Sequence, residues 1–211
     1  MAPTFSHHPI FTPILQSGHI KIADFGMCKE GIWGAGTTTT FCGTPGYLAP
    51  EIIQELPYGA SVDFWSLGVL IYEMLVGDSP FEGEDEEELF DQILKKKVDF
   101  PKRLDDVSKS LLNSFLDRNP KTRLGCSRDG KKEVMSHPFF AKIDWEKLEK
   151  REVRWGGGKQ RSQLCHASLV TAMLQTLSLL FGLLKRAAFL PLSPLDLTPW
   201  LQARCQGPAL G

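Results

Sequence analysis

The chain has 211 residues, 42% of them hydrophobic, and a formal net charge of −1. That length fits one ordinary domain with extensions and supplies enough apolar material for a core. The near-neutral balance gives no basic face of the kind a nucleic-acid binder carries, so no nucleic-acid partner is expected. The average hides a split: residues 1–153 hold 18 basic and 24 acidic residues, whereas residues 154–211 hold 6 and 1, with 14 Leu. A shift that abrupt predicts a boundary near Val153. The five cysteines are widely spaced without a C-x-x-C, which predicts reduced thiols, a cytoplasmic setting and no zinc site. The opening "MAPTFSHHPIFTPIL" has no basic start and no clean apolar run, so no signal peptide is expected, and His7 and His8 read as surface residues.

In chain order, "HIKIA" at 19–23 alternates and then turns apolar, which predicts a short strand. Residues 24–47 read as loop, with glycines throughout and four threonines at 37–40. A brief helix is predicted over 48–54. The stretch 61–76 follows Ser61, a candidate N-cap, and stops at Gly77. Its apolar residues occur on every face, which marks a buried helix at the centre of the core. Residues 83–97 place acids first and lysines last, as the helix dipole favours. Residues 105–120 set Val107, Leu111, Leu112, Phe115 and Leu116 on one face, with Pro120 as the stop. A further helix is expected over 131–137. The pattern predicts a mainly α architecture with little sheet.

After Val153 comes a Gly-rich basic linker, "RWGGGKQRSQ", and then 21 residues without formal charge, 164–184. Length alone permits a membrane span. Ser, Thr, Gln and His scattered through the run, and Gly182 within it, favour an amphipathic or self-associating segment. Prolines at 191, 194, 199 and 208 argue against regular structure beyond it.

Chemistry concentrates in two stretches, "IKIADFGMC" at 20–28 and "TFCGTPGYLAPE" at 40–51. A carboxylate on a tight turn after a strand can hold Mg²⁺ against the phosphates of a nucleotide, and Asp24 fits that place. Asp before Gly is by itself ordinary turn chemistry. D-F-G, then "FCGTP", then A-P-E in order is a far more specific signal. With "SVDFWSLGVLIYEMLVGDSPFEGEDEEELFDQI" and "RNPKTRLG", residues 18–153 resemble the C-terminal lobe of a eukaryotic serine/threonine protein kinase. The likeness is to the AGC group and, within it, protein kinase C and its relatives. Residues 1–17 and 154–211 match none of that pattern, and the small N-terminal lobe is expected to be absent.

The resemblance implies roles residue by residue. Asp24 would chelate Mg²⁺ and Ala23 would line the adenine pocket, with ATP and Mg²⁺ as the family's cofactors. Thr40 matches the activation-loop threonine phosphorylated by an upstream kinase; a solvated Thr run is the ordinary reading of Thr37–Thr39. Thr44 matches the residue that shapes the acceptor site. Glu51 would pair with Arg123, and Asp63 would anchor the catalytic-loop backbone. Substrates would be proteins with basic residues near Ser or Thr. Membrane association is not expected without regulatory domains. The acids at 82–88 read as a solvated helix start, with attraction of basic substrates as the alternative.

The sequence also departs from the family. The catalytic Asp and Asn should lie about 18 and about 13 residues before the D-F-G Asp. Those places hold Ser6 and Phe11. No Gly-rich loop, strand lysine or helix glutamate precedes them, so this chain alone is expected to be inactive, with a non-catalytic interaction or decoy role as the alternative. Gly46 stands where the family carries an acid, which puts its loop contacts in question.

Overall fold

The structure, a computed structural model, describes Ile32, residues 36–127, residues 129–150 and Glu152. The strand expected at 19–23, Ala23, Asp24, Ser6, Phe11 and the uncharged run 164–184 lie outside the described residues. The described architecture is helical. A 3-10 turn, Pro45–Tyr47, precedes α1 (Pro50–Ile53), α2 (Ser61–Val76), α3 (Glu86–Lys95), α4 (Asp106–Phe115) and α5 (Gly130–Ser136). A second 3-10 turn, Pro138–Phe140, leads into α6 (Trp145–Glu149). The strand-type pairing among these residues is one antiparallel bridge, Thr38 with Tyr58.

The centre of the core is α2. Phe64, Trp65, Leu67, Val69, Leu70, Ile71 and Tyr72 are all buried on it, as expected of a helix apolar on every face. It stops where Gly77 adopts φ 86° and its N–H bonds to Glu73 O; a left-handed cap of this kind favours glycine. Ser61 is not the N-cap. Ala60 holds that position, and Ser61 is the first helical residue, its hydroxyl donating instead to Glu51 Oε1 at 3.1 Å.

Gly68 lets α4 approach closely: a Cβ there would lie 2.8 Å from Phe115 Cβ. Across this contact Phe64 stacks on Phe115, centroids 6.4 Å apart and planes 5° apart. The buried stripe of α4 runs through Ser108, Leu111, Leu112 and Phe115, the i, i+3, i+4, i+7 spacing of one helix face. Val107 lies to the side of that stripe in the first turn and is 42% exposed, so its expected core role is corrected. The helix also ends at Phe115, before Pro120. Asp117 and Asn119 impose a side-chain-bonded turn there: Asp117 accepts from Asn119 N–H and from the Thr122 hydroxyl.

Helix α3 begins with a reciprocal cap. Asp85 accepts from Glu88 N–H at 2.8 Å, and Glu88 reaches back to accept from Glu84 N–H at 2.8 Å. Its other end is closed from a distance by Arg118, which donates to the carbonyls of Ile93, Gln92 and Lys96. One guanidinium thus gathers carbonyls at the end of the helix, adding to the backbone bond that Gln92 O already accepts from Lys96 N–H. No helix among the described residues is long and apolar enough to cross a membrane.

Candidate functional site

Residues 36–51 form a loop fastened at several points. Thr38 and Tyr58 exchange both backbone bonds of their bridge, each at 2.9 Å. The Tyr58 hydroxyl donates to Thr40 O at 2.5 Å. Burial, and then the neighbouring Cys42 thiol, push the Tyr58 hydroxyl above its ordinary range, which keeps it a neutral donor. Thr40 is thereby held by its carbonyl while its side chain faces solvent, 3.3 Å from the Thr38 hydroxyl. Thr37 and Thr39 are exposed as well, and Thr38 is half-buried. Farther along, Thr44 is half-buried, and its carbonyl accepts from Tyr47 N–H at 2.9 Å. Tyr47 donates its hydroxyl to Glu73 on α2, and its carbonyl accepts from the Ser66 hydroxyl at 3.0 Å. Gly46 has open space where a side chain would stand, so no described neighbour enforces glycine there.

The loop closes on Glu51 in α1. Arg123 meets it in a two-pronged pair, Nη1 to Oε1 at 2.8 Å and Nη2 to Oε2 at 2.9 Å. The same guanidinium donates from Nη1 to Ser61 O and from Nε to Asp117 O, both at 2.8 Å. The Arg123 side chain is fully buried and that of Glu51 is 4% exposed. Its carbon centre also lies 5.3 Å from the centre of the Trp65 ring, which stacks in turn on Phe81. Arginine suits this place because its planar fork satisfies a carboxylate and two carbonyls at once, which a lysine ammonium does not. Nearby, burial pushes the Cys126 thiol up to about 11, so it is an unreactive packing residue.

Asp63 stands in the first turn of α2. Its side chain is exposed, yet protein crowds its other sides and pushes its carboxyl from 3.8 up to about 6. Solvent at the open edge screens the charge, so surface access limits the size of the effect while crowding sets its direction. The folded chain then holds this proton more tightly than the unfolded chain. The contribution to stability is complete below about pH 4 and is lost as pH rises through about 6. Urea midpoints measured from pH 4 to pH 6.5 should therefore fall more steeply in the native chain than in Asp63→Asn. Parallel profiles would rule the effect out.

The structure brings Glu51, Arg123 and Ser61 into one cluster and sets Thr40 and Thr44 on the loop that ends in it. Tyr58, Arg118 and Trp65 were not among the residues singled out from sequence. Each acts across elements, Tyr58 and Arg118 through bonds to distant carbonyls and Trp65 through ring contacts with Arg123 and Phe81, and such contacts leave no periodic trace. Among the described residues no group of three or more His, Cys, Asp or Glu side chains is arranged to hold a metal.

Helical core, loop and buried pair together have the form of a kinase C-terminal lobe, and comparison with known proteins agrees. The protein kinase domain family matches residues 12–140, a range that starts upstream of Gly18 and stops short of Val153. The chain belongs to the protein kinase domain family. Within it the likeness is to protein kinase C. The chain is 57% identical over 139 residues to a protein kinase C of Drosophila melanogaster. It is 53% identical, also over 139 residues, to the epsilon type of Oryctolagus cuniculus and the eta type of Mus musculus. These matches take in 65–66% of this chain but only 19–20% of each relative, so the chain spans about a fifth of their length. The family uses ATP and Mg²⁺ and acts on proteins.

Proposed function

We propose that this chain carries the activation segment and helical lobe of a serine/threonine kinase of the protein kinase C type. The parent reaction is transfer of the ATP γ-phosphoryl group to Ser or Thr of proteins, near basic residues. The observation that carries this reading is the buried Glu51–Arg123 pair closing the loop that displays Thr40. In this reading Thr40 receives a phosphate from an upstream kinase, adding charge that orders the loop. Thr44 shapes the acceptor site. Asp24 holds Mg²⁺, Ala23 borders the adenine, and Asp63 anchors the catalytic-loop backbone. Glu51 and Arg123 are structural. The setting is cytoplasmic.

A second reading, favoured by a specific observation, concerns this polypeptide acting alone. Ser6 and Phe11 occupy the places of the catalytic Asp and Asn. Serine and phenylalanine supply neither a general base nor a second Mg²⁺ ligand, so the chain does not turn over by itself and acts as a non-catalytic lobe that binds kinase substrates or regulators. Thermal melting with and without Mg·ATP separates the two. The expected result is a cooperative transition that nucleotide leaves in place in both the native chain and Asp24→Ala. A rise of several degrees that disappears in Asp24→Ala would return this chain to the catalytic class.

A further inference from the structure

The turn that follows α5 is built on a histidine used as an acceptor. His137 closes α5, its N–H donating to Val134 O at 3.1 Å. Its partly buried side chain then reaches forward, and Nδ1 accepts from Phe139 N–H at 3.2 Å. A ring nitrogen that accepts carries no proton, so the neutral ring holds its proton on Nε2. Nε2 lies 3.4 Å from the hydroxyl of Ser110 on α4. One imidazole thus joins α4 to the 3-10 turn Pro138–Phe140. Phe140 N–H closes that turn on His137 O at 2.9 Å, and the turn sets Phe140, 1% exposed, into the core. There the Phe140 ring meets Trp145 of α6 edge-on, centroids 5.7 Å apart.

Protonation is incompatible with this arrangement. The imidazolium donates at both nitrogens, so a proton on Nδ1 would face Phe139 N–H and leave that amide without its acceptor. No nearby charge compensates. Glu133, one turn back on α5, already accepts from the Ser127 hydroxyl at 2.9 Å, and Lys132 lies 3.8 Å from Asp129. On α4, Lys109 pairs with Asp106 at 3.2 Å; on α6, Lys147 pairs with Asp144 at 3.3 Å and Lys150 with Glu146 at 2.6 Å. Among the described residues no carboxylate forms an ion pair with His137. Burial acts in the same direction and lowers the pKa of His137 from its ordinary value of 6.5. We propose that His137 is an acid-released latch: neutral, it fastens the Pro138–Phe140 turn, and α6 behind it, to α4; protonated, it lets the turn go. The latch is fully closed above about pH 6.5 and opens as pH falls through the folded-state value. Its sign is opposite to that of Asp63, whose contribution fades as pH rises. The latch is independent of catalysis.

NMR of the full chain tests it. In the native protein the His137 ring should titrate below about 6.5, and its ¹⁵N shifts should report the Nε2–H tautomer at neutral pH. The Phe139 amide shift should move with the same midpoint. After correction for the intrinsic pH dependence of amide exchange, Phe139 and Phe140 should exchange about two- to tenfold faster at about pH 5 than at about pH 7.5, the worth of one hydrogen bond. His137→Asn keeps a side-chain oxygen to accept from Phe139 N–H but has no titrating ring, and it should abolish that acceleration. A ring that titrates at or above about 6.5, a Phe139 amide that does not follow it, or equal acceleration in His137→Asn overturns the proposal. If His137→Asn does not fold, the two titrations of the native chain still decide between a latch and an ordinary surface histidine.

Discussion

Arg123→Met is expected to lower the unfolding free energy by about 3–5 kcal/mol, the usual loss when one member of a buried ion pair is removed. The side chain of Glu51 is 4% exposed and takes both of its strong bonds from Arg123. Without the guanidinium its charge stays in a poorly solvated place, and the carbonyls of Ser61 and Asp117 lose their donor as well. With a urea dependence of about 1–3 kcal/mol per M, the midpoint should fall by about 2 M. Arg123→Lys should rescue little, because a single ammonium cannot reproduce the fork. The double variant Glu51→Leu, Arg123→Met should recover part of the loss, since no charge is then stranded. A single variant within about 1 kcal/mol of the native chain would mean that the pair does not hold the loop to the lobe.

Gly125→Ala is the second large effect. Gly125 has φ 92°, in the left-handed region, and a Cβ added there would lie 2.5 Å from Phe64 Cε1. The backbone conformation costs a non-glycine residue about 1–2 kcal/mol, and forcing extra volume into a packed site about 1–3 kcal/mol more. The expected destabilisation is about 2–5 kcal/mol. The two contributions are separable. Gly125→Ala combined with Phe64→Leu opens space for the methyl but leaves the dihedral strain, so the pair should be less unstable than the sum of its single variants. Strict additivity in urea unfolding would show that the Phe64 ring is not what excludes a side chain at this turn.

Much of the helical architecture was legible because it rests on local rules. Apolar residues on every face mark α2, Gly77 stops it, and acids followed by lysines bound α3. What failed was local information overridden by neighbours. Ser61 has the composition of a cap, yet its hydroxyl serves Glu51. Val107 shares the apolar character of its neighbours but falls beside the inward stripe of α4. Pro120 reads as a stop, but the turn at Asp117 and Asn119 ends the helix first. The candidate site was legible in a different way. Glu51 and Arg123 lie 72 residues apart, and no periodicity or charge pattern joins them. The family resemblance nominated both, and the fold places them in contact. Tyr58 and Arg118 had no such guide, since their partners are backbone carbonyls of remote segments.

The most direct test of the account is transfer of radiolabelled γ-phosphate from Mg·ATP to a basic serine- and threonine-containing peptide, with the purified chain and Asp24→Ala side by side. If, as proposed, Ser6 and Phe11 stand where the base and the second metal ligand would be, the native chain should transfer no more phosphate than the variant. Transfer by the native chain that Asp24→Ala abolishes would contradict it.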